Sequence, residues 1–157
     1  MTINKKRLLA SLALCFAAEG LGGLFTAQSV GTWYLTLQKP AFTPPGWLFG
    51  PVWTLLYFLM GVSFYLVWNA RENKIKRFAI ALFFIQLILN VLWSLAFFGM
   101  QSITGGLIVI AALWLAIIST MYHFRQISRT AAGMLLPYLA WVSFASILNY
   151  ALWRLNL

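Results

Sequence analysis

Three sets of side chains recur at helical spacing and share one chemistry: Trp53 with Tyr57, Asn90 with Trp93 and Phe97, and Trp141 with Ala145 and Leu148. Positions three, four or seven apart lie on one face of a helix. If the three faces converge, they wall a cavity with flat rings and a single inward amide. Such a lining suits a planar apolar ligand, because rings stack on it while a polar group fixes its orientation. Reactive groups are scarce. Cys15 is the one cysteine, and with one histidine and two acids the chain has no ligand set for a protein-built zinc or iron site. Lacking any acid, base and nucleophile constellation, it is not expected to run ordinary hydrolytic catalysis.

Those faces need helices to carry them. The 157 residues are 62% hydrophobic, 17% aromatic and 8% charged, which lies outside the soluble globular range and inside the membrane class. Apolar runs of roughly 20 residues, the length that crosses a bilayer, cover about 8–27, 47–68, 78–98, 103–124 and 131–153. The runs are unbroken, whereas barrel strands alternate apolar and polar residues, so the expected fold is an all-α membrane bundle of five transmembrane helices. The connections RENKIKR, GMQS and RQISRT are short enough to reverse the chain between antiparallel neighbours. No internal repeat or composition shift marks a second domain, so residues 1–157 are read as one unit. The amino-terminal stretch imitates a signal peptide, but Leu14 is bulky ahead of Cys15 and the apolar run continues to about Ala27. It reads as a first span.

The formal charge of +9 does not point to nucleic acid, because the basic residues fall in clusters between spans rather than along one face. Lys5, Lys6, Arg7, Arg71, Lys74, Lys76, Arg77, Arg125 and Arg129 collect on one side of the membrane, leaving Lys39 and Arg154 on the other. By the positive-inside rule the N-terminus is expected in the cytoplasm, with the C-terminus and first loop outside, in a multi-pass cell membrane.

Four motifs then become specific: WY..LQKP.F.PPGW from Trp33, PVWTLLY.LMG from Pro51, LNVLWSLAFFGMQ from Leu89, and PYLAWVSFASILNYALWRLN from Pro137. In this order on five spans they closely resemble the translocator protein family, TspO/MBR, once called peripheral-type benzodiazepine receptors. The resemblance covers nearly the whole chain. It implies binding of porphyrins such as protoporphyrin IX or haem as ligands with no required cofactor, of sterols in animals, and of synthetic isoquinoline and benzodiazepine drugs. Trp53 and Trp141 match family positions associated with ligand contact and porphyrin breakdown. The resemblance also implies a homodimer, and a mitochondrial outer membrane if the source is eukaryotic. Leu148, Tyr150 and Arg154 fit the pattern L/V-x-Y-x-K/R at the place of the family's cholesterol motif, a weak pattern by itself.

Alternatives stand beside these assignments. Trp33, Trp47, Trp68 and Trp153 lie near span ends, where tryptophan forms interfacial belts. Core packing remains open for Trp53 and Trp141. An amide such as Asn90 also serves as interhelical glue at ~0.6 kcal/mol or somewhat more. Glu19 is an expensive residue for a span, at ~2.5 to 3.5 kcal/mol on insertion scales if central. It is read either as a proton or ligand contact or as a group held near Gly22 and Gly23. His123 reads as interfacial. Pro51 and Pro137 can kink their helices, or Pro51 can lie in a first turn. The loop between the first two spans is stiffened by Pro40, Pro44 and Pro45. It is expected to act as a lid, with Trp33 and Tyr34 packing inward and Lys39 placed to meet a propionate; a rigid spacer is the other reading. The leading function is a membrane carrier, sensor or scavenger of tetrapyrroles. Light- or oxygen-dependent porphyrin breakdown is the alternative, and alternating-access transport has little support without repeated halves.

Overall fold

The computed structural model describes residues 3–157. Five segments long and apolar enough to cross a membrane run Lys5–Ser29, Gly46–Trp68, Lys74–Gly99, Ile103–Ile127 and Arg129–Leu155. We label the helices α1 (Lys5–Ser29), α2 (Trp33–Thr36), α3 (Gly46–Trp68), α4 (Lys74–Ser94), α5 (Ile103–Ile127), α6 (Arg129–Met134) and α7 (Leu136–Leu155). The shortest, α2, lies within the first loop.

The loop residues do more than reverse the chain. Asn4, Asn73, Ser102 and Ser128 each cap the helix that follows, their side chains accepting from the backbone N–H of Arg7, Lys76, Gly105 and Ala131. Each such cap satisfies a helix-end donor that lipid cannot, and is worth about 1 kcal/mol. The spans accordingly run longer than their apolar cores, because capped polar ends continue the helix beyond the hydrocarbon-like stretch.

Two spans are irregular. α4 ends in a π turn at Leu95–Gly99, closed by the Met100 N–H donating to the Leu95 carbonyl at 2.7 Å. The fifth span is interrupted at Leu135, because Pro137, second residue of α7, has no N–H to give the Gly133 carbonyl. Pro51 lies inside α3, in its second turn rather than its first. There it withholds a hydrogen bond from the Trp47 carbonyl.

Around the bundle, α1 touches α3 and α4, α4 touches α5, α5 touches α7, and α3 closes the ring against α6 and α7. The half of the bundle carrying the basic loops is filled at its centre, and its own smaller cavity, about 280 Å³, lies between α1, α3 and α4 against Leu14, Phe64, Trp68 and Ile80. Phe64, Phe83 and Phe124 stack across the centre, with centroids 4.6 and 5.9 Å apart and planes within 12°. α1 and α3 meet there at Gly61, where a Cβ would stand 2.8 Å from Leu12 Cδ2 and 3.1 Å from its Cα. Only glycine permits that approach.

Candidate ligand pocket

The half beneath the first loop is hollow. Its cavity of about 390 Å³ falls within the range of small-molecule sites. α3 supplies Phe49, Trp53 and Tyr57 to the wall; α4 and its π turn supply Asn90, Trp93, Phe97 and Phe98. The Trp53 ring lies 6.3 Å from Trp93 at 32°, and Trp93 stacks on Phe97 at 5.7 Å and 24°. Three ring faces thus run nearly side by side. The π turn adds an inserted residue to the helical repeat, and the consecutive Phe97 and Phe98 both reach the cavity. It is held from α1, whose Ser29 hydroxyl donates to the Phe98 carbonyl at 2.7 Å.

The floor is polar and closed. Tyr57 donates its hydroxyl to Asn90 Oδ1 at 3.0 Å, and Asn90 Nδ2 donates to the Tyr138 hydroxyl at 2.7 Å. Asn90 therefore bonds α3 and α7 together, as interhelical glue would, and it also borders the cavity. From α7, Ala145, Leu148 and Asn149 reach the wall. Asn149 Oδ1 accepts from Trp93 Nε1 at 3.2 Å while Asn149 Nδ2 donates to the Ile103 carbonyl at 3.1 Å, so the indole plane is fixed. Sequence reasoning misses Asn149, although it lies four residues after Ala145 within a span. Glu19 also lies on the wall, held by the Thr54 hydroxyl, which donates to its Oε1 at 2.6 Å. Its partner is thus α3, not the glycines of α1.

Several expected members stand elsewhere. Trp141 meets the wall residue Phe49 edge-on at 5.8 Å but does not itself border the cavity, and its buried Nε1 has no partner among the described residues. Spacing gave its face correctly and could not give its depth. Leu148 is buried on the wall, whereas Tyr150 and Arg154 are exposed, with Tyr150 beside Trp153 at 6.0 Å. Two residues of helix turn through about 200°, so the three-residue sterol pattern points two ways. His123 sits in α5 between Phe78 and Tyr122, its Nδ1 2.8 Å from the Ser119 carbonyl, away from the cavity.

The first loop covers the cavity mouth with Tyr34, whose ring lies 5.7 Å from Phe98. Burial pushes the Tyr34 phenol above its ordinary pKa. Trp33 packs edge-on against Phe97 at 5.5 Å, inward rather than in a belt, although it does not border the space. Trp47, by contrast, is 74% exposed. Lys39 Nζ is turned back on its own loop, 3.2 Å from the Leu37 carbonyl and 4.8 Å above the Tyr34 ring, and is not on the wall. Neither is Pro44. The loop is pinned at its far side. Gln38 N–H donates to Asn156 Oδ1, and Asn156 Nδ2 donates to the Gln38 carbonyl, both at 2.9 Å.

A multi-pass α-helical membrane protein with an aromatic, ligand-sized cavity under an ordered loop is the class these features define. The chain belongs to the TspO/MBR family, whose model matches residues 11–154. It is 48% identical to the Tryptophan-rich protein TspO of Archaeoglobus fulgidus over 98% of this chain and 99% of that one. It is 35% identical to the Tryptophan-rich sensory protein of Cereibacter sphaeroides over 99% and 95%. To the human Translocator protein it is 40% identical over 79% and 75%.

Proposed function

We propose that the protein is a membrane binding protein for porphyrins and similar flat, apolar ligands, acting as carrier, sensor or scavenger. The observation that carries this reading is the row of rings, Trp53, Trp93 and Phe97, successively tilted by 32° and 24° along one side of the cavity. A macrocycle sliding beside them exchanges water or lipid contact for stacking, which aromatic pairs reward by about 0.5–1.5 kcal/mol each beyond burial. The names of two relatives, a sensory protein and a translocator, agree with binding and differ on the step after it. Sterols have weaker support here, since Leu148 and Tyr150 diverge.

The test is a titration of the purified protein in nanodiscs with protoporphyrin IX, read from the shift of the porphyrin's own absorption band. Saturable binding by the wild type, weakened in a Trp53→Phe, Trp93→Phe double variant and retained in Trp141→Phe, is the expected result. Equal behaviour of the wild type and the double variant removes the reading. Orientation is a separate part of the proposal: the nine basic residues at the end opposite the lid favour the cytoplasmic side for that end, by the positive-inside rule. Single cysteines introduced at positions 42 and 72 of a Cys15→Ala background, labelled from either side of intact cells, should react from opposite faces.

A further inference from the structure

Resting on the reading of the cavity as a small-molecule site, we infer that Glu19 makes it selective for ligands that present a protonated nitrogen inside the membrane. Glu19 stands about 15 Å along α1 from Ser29, near the middle of the span. Thr54 occupies its Oε1 at 2.6 Å; among the described residues its Oε2 has no hydrogen-bond partner. Neither of the two ion pairs among those residues involves it, since Lys76 and Arg77 both pair with Glu72 at the basic end. No lysine, arginine or histidine among the described residues borders the cavity, and Lys39, nearest in the chain to the mouth, is held by carbonyls of its own loop.

The wall therefore combines one carboxyl group, no base, and the π faces of Trp53 and Trp93. A carboxylate with indole faces is the pairing that recognises an organic ammonium, through a charge-assisted hydrogen bond and cation–π attraction together. The same wall opposes an acidic group: a carboxylate pushed to this depth would meet Glu19 with no cation between them. A ligand with acidic substituents would keep them at the mouth and turn its nitrogen-bearing part inward. Thr54, by holding Oε1, restricts rotation of the carboxyl group and leaves Oε2 as its unengaged oxygen.

Two rings of like shape test this: 9-aminoacridine, protonated at neutral pH, and uncharged 9-methylanthracene. Binding is measured by fluorescence in nanodiscs of phosphatidylcholine alone, so that anionic lipid does not attract the amine. Wild type should prefer the amine, and in Glu19→Gln the ratio of amine to neutral-ring affinity should fall about tenfold, the scale of one charge-assisted contact. Glu19→Asp should restore part of that ratio, and Glu19→Ala should lower it as Gln does, which separates charge from shape. The inference is overturned if wild type shows no preference for the amine, or if Glu19→Gln keeps it. Protoporphyrin is titrated in parallel. Saturable protoporphyrin binding without amine preference sinks only the role of Glu19, whereas no saturable binding of any of the three ligands sinks the pocket reading with it.

Discussion

The two halves of this bundle use the same kind of residue to opposite ends. Toward the basic loops, Phe64, Phe83 and Phe124 stack face to face and fill the centre; toward the first loop, Trp53, Trp93 and Phe97 form a row tilted by 32° and 24°, yet stand beside a cavity. Aromatic content does not decide which half is hollow. Backbone does. In the filled half, Gly61 draws α1 against α3. In the hollow half, Gly23, Gly46 and Gly50 border the cavity and face open space, while Pro51 and the π turn disturb the helices that flank it. Close glycine contacts occur in both halves, since Gly106 meets the wall residues Phe97 and Asn149; the hollow half differs in having wall glycines that meet nothing as well.

The contrast breaks most visibly through large-to-small changes. Phe83→Ala, which empties the fully buried centre of the filled half, should cost about 3–5 kcal/mol in reversible SDS unfolding. Trp53→Ala should cost clearly less stability but abolish saturable porphyrin binding, because one side of that indole already lacks protein contacts. Comparable stability losses at the two sites would mean that the hollow half is packed as tightly as the other.

Glycines give the next effect. Gly61→Ala forces a methyl within 3.1 Å of the Leu12 Cα and should destabilise by about 1–3 kcal/mol. Gly23→Ala meets nothing within 4 Å and should leave stability unchanged or raise it, by up to about 1 kcal/mol from helix propensity. Both are read from the same unfolding midpoints. The lid comes third: Asn156→Ala removes the two bonds to Gln38 and should cost about 1 kcal/mol, while a stopped-flow chase should show faster ligand release. Pro44→Gly with Pro45→Gly should act in the same direction through chain entropy. Release at the wild-type rate in both would make the loop a spacer.

The smallest effect is the response to alkali. Burial raises the Tyr34 pKa above 10.0, so the neutral phenol is the form the fold favours. Its contribution to stability is complete below pH 10 and is lost as pH rises through the folded value. Tyr34→Phe should flatten that part of the pH profile; an unchanged slope would show that the phenol ionises as freely in the fold as outside it.

How much of this was legible in the chain depends on the range of the cause. Five spans follow from unbroken apolar runs, a local property that lipid enforces. Asn90 and Trp93 share a face as spacing requires, because α4 is regular up to Ser94, while Phe97 already lies in the π turn. Phe98 joins them only through the π turn, for which LAFFG carries no distinctive signal. Trp141 lies one ring back from the cavity, behind Phe49, a depth hidden from periodicity, which reports angle around a helix and not height in a bundle. The partners of Lys39 are carbonyls of a folded loop, visible only after Leu35 and Leu37 have taken their conformation. Glu19 was legible as costly, but its partner Thr54 is 35 positions away on another helix.

The reciprocal bonds between Gln38 and Asn156 span 118 positions of chain. On a ribosome adding about 5–20 residues per second, the loop is made roughly 6 to 24 s before its anchor exists. During that interval the loop lacks this anchor, and Trp53 and Trp93 are made before Asn156. The ligand chamber is thus among the last parts of the molecule to be completed, because both the loop's anchor and one wall, Ala145, Leu148 and Asn149, belong to the fifth span.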